Sequence, residues 1–183
     1  MYTEYYGFSA KPFQLSPDPR FFFGSRAHNR ALSYLRYGLS QGEGFIVVTG
    51  GIGTGKTTLV KSLFDELDTD RVVAAQLVTT QLEADELLRS VAATFGLPYE
   101  NISKAALLKR FEDFLREQAR RGRRVLLVVD EAQNLPMQSL EELRMLSNFQ
   151  VAATPLLQSF LLGQEEFRTT LQEPGMEQLR QRV

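Results

Sequence analysis

Two hydrophobic patterns alternate along this chain. Largely apolar runs occur at FIVVTG (45–50), VVAAQLV (72–78), VLLVVDE (125–131) and LLQSFLLGQ (156–164), the first of them a continuous β-branched run. Such runs suit strands covered on both faces, as in parallel sheets. Between them, apolar residues recur every three or four positions, the mark of one-sided helices. Ala27, Ala31, Leu32, Leu35 and Leu39 predict a helix over about 26–40, capped by Ser25. Leu59, Val60, Leu63, Phe64 and Leu67 predict another over about 55–67. Leu87, Leu88, Val91, Ala92 and Phe95 mark a third, opened by a capping box of Thr80 with Glu83 and closed at Gly96. Leu107, Leu108, Phe111, Phe114 and Leu115 mark a fourth, capped by Ser103. Pro136 suits the first turn of a fifth, and two short helical segments flank Pro174–Gly175.

Strands alternating with helices predict a parallel α/β sheet with helices on both faces. Residues 1–24 differ in texture: they are rich in aromatics, Pro and Gly, and Pro17 and Pro19 forbid a helix around them. This segment is expected to be extended, with Phe8, Phe13, Phe21, Phe22 and Phe23 laid on the domain, since leaving them in water is costly. The expected division is residues 1–40, the aromatic segment and its helix packed on the core, and residues 41–183, the core itself.

Composition narrows the classes. The chain has 183 residues, about one domain's worth, and its 43% apolar share is that of an ordinary globular protein. The net charge of −1 offers no global field for nucleic acid or anionic membrane. No cysteine is present, which excludes disulfides and thiolate metal sites and fits a reducing, cytoplasmic setting. No apolar run is long enough to span a bilayer, and MYTEYYGFSAKPF lacks the layout of a secretory signal. The run ARRGRR (119–124) reads as a helix end that places cations at the negative dipole terminus and stops at Gly122; a nucleic-acid patch is the alternative.

The chemistry lies in GGIGTGKTT (50–58), which fits the phosphate-loop pattern G-x-x-x-x-G-K-[ST] and sits between a strand and a helix, the context that motif requires. The cofactor-binding set is Gly50, Gly51, Ile52, Gly53, Thr54, Gly55, Lys56, Thr57 and Thr58. Glycines let the backbone amides close on a phosphate, Lys56 reaches the β- and γ-phosphates, and Thr57 ligates Mg²⁺. A second element is RVLLVVDEAQ, an apolar strand ending in Asp130 and Glu131. Asp130 joins Thr57 in holding Mg²⁺, and Glu131 orients and deprotonates an attacking water. GTPases draw a glutamine from a mobile switch instead, so the acid pair points to ATP and ADP as ligands.

Between Lys56 and Asp130 lie 73 residues, enough for one whole strand and two helices. That strand is expected to stand beside the acidic one, giving the order 1-4-3-2 for the four strands. The fold class is therefore α/β: a P-loop NTPase three-layer sandwich with a mostly parallel sheet, of the additional-strand, catalytic-glutamate class.

The ordered set YYGFSAKPFQLSPDPRFFF, HNRALSYLRYGL, GGIGTGKTT, VVDEAQNL, LEELRMLSNFQ, LLQSFLLGQEEF and LRQRV resembles the AAA+ ATPases of the general secretion pathway protein A (ExeA-like) family. Within it, the chain is most similar to those encoded with exosortase and exopolysaccharide loci. The resemblance implies that Gln164 holds the sensor-1 position near the γ-phosphate, and that Arg182 is an arginine finger for a neighbouring subunit, with Arg180 as runner-up. It implies that Thr79 occupies the position that holds the catalytic glutamate away until a partner arrives, where the family more often has Asn. Asn148 is a further family mark on the γ-phosphate side, and His28 lies in the region near the adenine. A fifth strand and a helical lid follow the finger in such proteins, and the chain ends at Val183 without them, so binding with slow turnover and poor assembly is expected.

The expected activity is ATP hydrolysis, with catalytic residues Glu131, Lys56, Gln164 and Arg182 and metal ligands Thr57 and Asp130. The full-length protein is expected to form a homo-oligomer and to serve a secretion or polysaccharide-export partner at the inner membrane. The alternatives are a nucleotide-gated assembly factor with little turnover and a DNA-binding regulator of the transposition type.

Overall fold

A computed structural model describes residues 2–9, 22–42, 44–79 and 81–183. Helix α1 (Tyr2–Tyr5) is a single turn. Then follow α2 (Arg26–Gln41), β1 (Phe45–Thr49), α3 (Lys56–Glu66), β2 (Val72–Val78), α4 (Ala84–Thr94), α5 (Lys104–Arg120) and β3 (Arg124–Asp130). A 3₁₀ turn (Ala132–Asn134) leads to α6 (Met137–Leu146), a hairpin of β4 (Gln150–Val151) with β5 (Thr154–Pro155), β6 (Leu157–Gly163), α7 (Glu165–Thr170) and α8 (Glu177–Arg180).

The four long strands form a parallel sheet in the order β1-β6-β3-β2. With β6 as the fourth long strand, this is the 1-4-3-2 arrangement expected from the spacing between the two motifs. The central strands β3 and β6 are buried on both faces, which is why β3 reads as a continuous apolar run; β6 differs in carrying buried Gln158 and Ser159.

Side chains alternate across the sheet and split the core in two. On one face Leu126, Val128, Phe160 and Leu162 meet Leu32 and Leu35 of α2 and Leu59, Val60 and Leu63 of α3. On the other, Val125, Leu127, Val129, Leu157 and Leu161 meet the stripes of α4, α5 and α6, with Phe167 and Leu179 closing the edge. Burial of each such Leu or Phe contributes roughly 1.5–3 kcal/mol.

The caps at Ser25 and Ser103 form as expected, each hydroxyl accepting from an amide three residues on. Helix α4 begins later than predicted. Its N-cap is Glu83, which makes no side-chain cap bond, so Glu83 does not occupy the third-position role of a capping box; Thr80 lies outside the described residues. The arginine run takes the helix-end reading. Arg120 and Arg121 pair with Glu117, Gly122 adopts a left-handed conformation (φ +70°), and the Arg124 guanidinium donates to the Leu39 and Ser40 carbonyls of α2.

The aromatic segment departs from expectation in part. Residues 2–5 are helical rather than extended. Phe22 packs partly buried on the α2–α3 side, whereas Phe8 and Phe23 are exposed. Adjacent side chains of extended chain point to opposite sides, so Phe22 and Phe23 cannot both face the domain. Phe13 and Phe21 lie outside the described residues.

Register places the strand ends together: Thr49 is level with Gly163, and Val78 with Asp130. The phosphate loop, the acid pair, Thr79 and Gln164 therefore all lie at the carboxyl edge of the sheet, where open α/β sheets bind ligands.

Candidate phosphate-binding site

The loop from Gly50 to Gly55 leaves β1 and turns into α3. Gly53 and Gly55 sit at φ +74° and +84°, a left-handed region that a β-carbon disfavours, so the loop needs glycine there. Among the described residues, the amides of Gly53, Gly55, Lys56 and Thr57 donate to no carbonyl or side chain. Unsatisfied amides converging at a helix start make an anion cradle. The Lys56 ammonium lies inside this cradle, donating to the carbonyls of Gly50 (2.8 Å) and Gly51 (2.9 Å). It meets carbonyl dipoles rather than a carboxylate, and its charge remains available to an anion.

Across the cradle, Asp130 is 3% exposed at the end of β3. Its Oδ2 accepts from the Thr57 hydroxyl (2.8 Å) and from Nε2 of Gln76 (3.2 Å), and its Oδ1 accepts from the Glu131 amide (3.0 Å). A hydroxyl and a carboxylate so paired, both hard oxygen donors beside a phosphate cradle, fit Mg²⁺, which takes few protein ligands and retains waters. Gln76 has no role in the sequence reading. A signal was present, because it interrupts an apolar strand on the same sheet face as Asp130.

Glu131 has φ +56° and ψ +39°, a left-handed conformation uncommon for glutamate. Such geometry persists only where the surroundings over-determine it. Here the buried Thr79 hydroxyl lies 2.8 Å from both the Asp130 and the Glu131 carbonyls, and the Thr79 amide donates to Asp130. Thr79 therefore holds the main chain of the acid pair rather than the Glu131 carboxylate, contrary to the role implied by the family position. The carboxylate itself is held by two amides: Nε2 of Gln133 at 2.6 Å and Nε2 of Gln164 at 3.3 Å, both on Oε2. Gln133 escapes sequence reasoning, since it reads there as one more polar turn residue.

Gln164 caps α7 at the end of β6, beside the acids. Gly163, just before it, is required by packing, because a β-carbon there would lie 2.8 Å from Cβ of Phe167. His28 joins the site from α2. Its Nε2 is 2.7 Å from the Thr54 carbonyl, its Nδ1 is 2.8 Å from the Ser25 hydroxyl, and Phe22 meets its ring edge-on.

Two other expected positions are not brought to this edge. The Arg182 guanidinium donates to Ser147 Oγ (2.9 Å) and Asn148 Oδ1 (2.6 Å), while its carbonyl accepts from Phe45 at the start of β1. Arg182 and Asn148 therefore lie at the amino edge of the sheet, away from this chain's own phosphate loop; Asn148 is not on its γ-phosphate side. Arg180 donates to the Leu171 carbonyl.

A family model described as AAA domain matches residues 39–171. The chain is 40% identical over its whole length to General secretion pathway protein A of Aeromonas hydrophila, and spans 34% of that relative's length. Among solved structures, the Aeropyrum pernix ORC2 protein in its ADPNP–ADP complexes superposes with a TM-score of 0.68 at 14% identity, over 94% of this chain and 49% of that one. Cdc6p from Pyrobaculum aerophilum superposes with a TM-score of 0.62 at 19% identity, over 86% of this chain and 44% of that one. The two structures share the fold. With the matched span holding the phosphate loop, both acids and Gln164, the chain belongs to the AAA domain family.

Proposed function

We propose that this chain binds ATP with Mg²⁺ and hydrolyses it to ADP and phosphate, as the nucleotide-driven part of a bacterial secretion or exopolysaccharide-export system. The observation that carries the reading is the facing arrangement at the sheet's carboxyl edge: free amides and Lys56 on one side, the Asp130–Thr57 pair and Glu131 on the other. The A. hydrophila relative's name supports the secretion setting.

The loop amides bind the β-phosphate, and Lys56 exchanges its carbonyl partners for phosphate oxygens. Mg²⁺, held through Thr57 and Asp130, would neutralise charge across the phosphates. Glu131 orients the attacking water and takes its proton at Oε1, which no described residue engages. Gln164 reaches the same space from β6. Arg182 acts on a neighbouring subunit's site in this scheme, since it stands at the far edge from its own loop.

The test is a pair of variants read by nucleotide titration and phosphate release. Lys56→Ala loses binding. Glu131→Gln binds ATP and keeps only a residual turnover; full turnover in that variant would defeat the assignment of the base.

A second reading, in which ATP governs assembly with little turnover, is favoured by the distance of Arg182 from its own loop, because Arg182 then reaches phosphates only on a neighbouring molecule. Sizing with and without an ATP analogue, beside steady-state turnover, separates the two.

A further inference from the structure

Gln133 lies two residues beyond Glu131, and the 3₁₀ turn folds it back over the acid pair: the Asn134 amide donates to the Glu131 carbonyl and the Leu135 amide to that of Ala132. Its side-chain amide then spans two partners. Oε1 accepts from the backbone amide of Gln164 at 3.0 Å, and Nε2 donates to Glu131 Oε2 at 2.6 Å. The Gln164 N–H can only donate, so it fixes which end of the Gln133 amide faces which way. The donor end has one orientation left, toward the carboxylate. Gln164 supplies the second donor to the same oxygen.

We propose that Gln133 is the positioning residue for Glu131. It anchors on the main chain at the end of β6 and holds one carboxylate oxygen, so that the other faces a water. This rests on the ATPase reading above. The arrangement joins three elements that are separate in sequence: the turn after β3, the end of β6 and the acid itself. A hydrogen bond to a charged carboxylate is among the stronger ones in proteins, and a bond held at both ends of one amide leaves little freedom for the acid. The link also gives Gln164 a route to Glu131, because any shift of the β6 end moves the anchor of the Gln133 amide.

The test uses two variants that fail differently. Gln133→Met keeps length and loses both bonds. Gln133→Glu keeps an acceptor for the Gln164 amide and loses the donor, so it preserves the turn while setting a carboxylate against Glu131. Both are expected to lower kcat by roughly 10- to 100-fold, the size of a lost charged hydrogen bond, with ATP affinity within about twofold of wild type. Gln133→Glu should still fold, with a native far-ultraviolet circular dichroism spectrum, because the Gln164 amide keeps its acceptor. Added to Glu131→Gln, neither change should lower residual turnover further, because residues that act as a unit are not additive. Wild-type kcat in Gln133→Met, an equal loss of affinity, or a further loss in the double variant overturns the positioning role alone. Wild-type turnover that is nil, or unmoved by Glu131→Gln, overturns the ATPase reading and this role with it.

Discussion

His28 Nε2 lies 2.7 Å from the carbonyl of Thr54, so the only histidine in the chain is hydrogen-bonded to the tip of the phosphate loop. A carbonyl can only accept, which puts the proton of the neutral ring on Nε2 and leaves Nδ1 to accept from Ser25. The Ser25 oxygen in turn accepts from the His28 amide as the cap of α2. A helix cap, a ring and a loop carbonyl thus form one chain of hydrogen bonds. His28→Ala should weaken ATP binding about three- to tenfold, the worth of one net hydrogen bond, without abolishing it as Lys56→Ala does. Titration with a fluorescent ATP analogue checks this, and unchanged affinity would remove His28 from the loop's support.

Thr79 gives a stability prediction rather than an affinity one. Its hydroxyl is buried and serves the carbonyls of Asp130 and Glu131. Thr79→Val keeps the shape and removes the donor, leaving buried acceptors underserved at a cost of about 1–3 kcal/mol. Urea denaturation should show a lower midpoint with an unchanged slope. An unmoved midpoint would mean that the left-handed turn at Glu131 is held by something other than this hydroxyl.

Lys104 carries the pH prediction. Its ammonium sits 2.9 Å from Glu142 of α6 and 3.0 Å from Asp85 of α4, and these bonds, that to Glu142 foremost, raise it above the ordinary lysine value. A raised cation stabilises fully below the unfolded lysine value, about 10.4, and loses that contribution as pH climbs through the folded one. The Lys104 side chain is 41% exposed, so solvent screening limits the gain to roughly 0.5–1 kcal/mol. Denaturation midpoints of Lys104→Met and wild type should differ by a constant amount around neutral pH and converge in strong alkali, or in high salt at any pH. A gap that survives both treatments would assign the effect to packing of the lysine stem.

Much of this site is legible in the sequence because its parts are local. The phosphate loop and the acid pair are contiguous motifs at the ends of apolar runs, and the strand order follows from the stretch between them. What stays hidden depends on contacts across elements or on unmarked backbone. The β4–β5 hairpin turns through Ala152 and Ala153, both at positive φ (+49° and +67°), with none of the Asn or Gly that usually announces such a turn. Gln133 becomes visible only once Glu131 bends left-handed and β6 arrives beside it. Thr79 is visible as a position, but its partners are main-chain atoms that no motif records.

Arg182 and the phosphate loop occupy opposite margins of one sheet. If that guanidinium completes a neighbour's site, the two molecules must stand head to tail, each offering a different surface to the next. A head-to-tail contact cannot pair off by a twofold axis; it repeats until it closes into a ring or runs on as a helical filament. Stoichiometry above two, growing or capped with nucleotide, is the form such an association would take in solution.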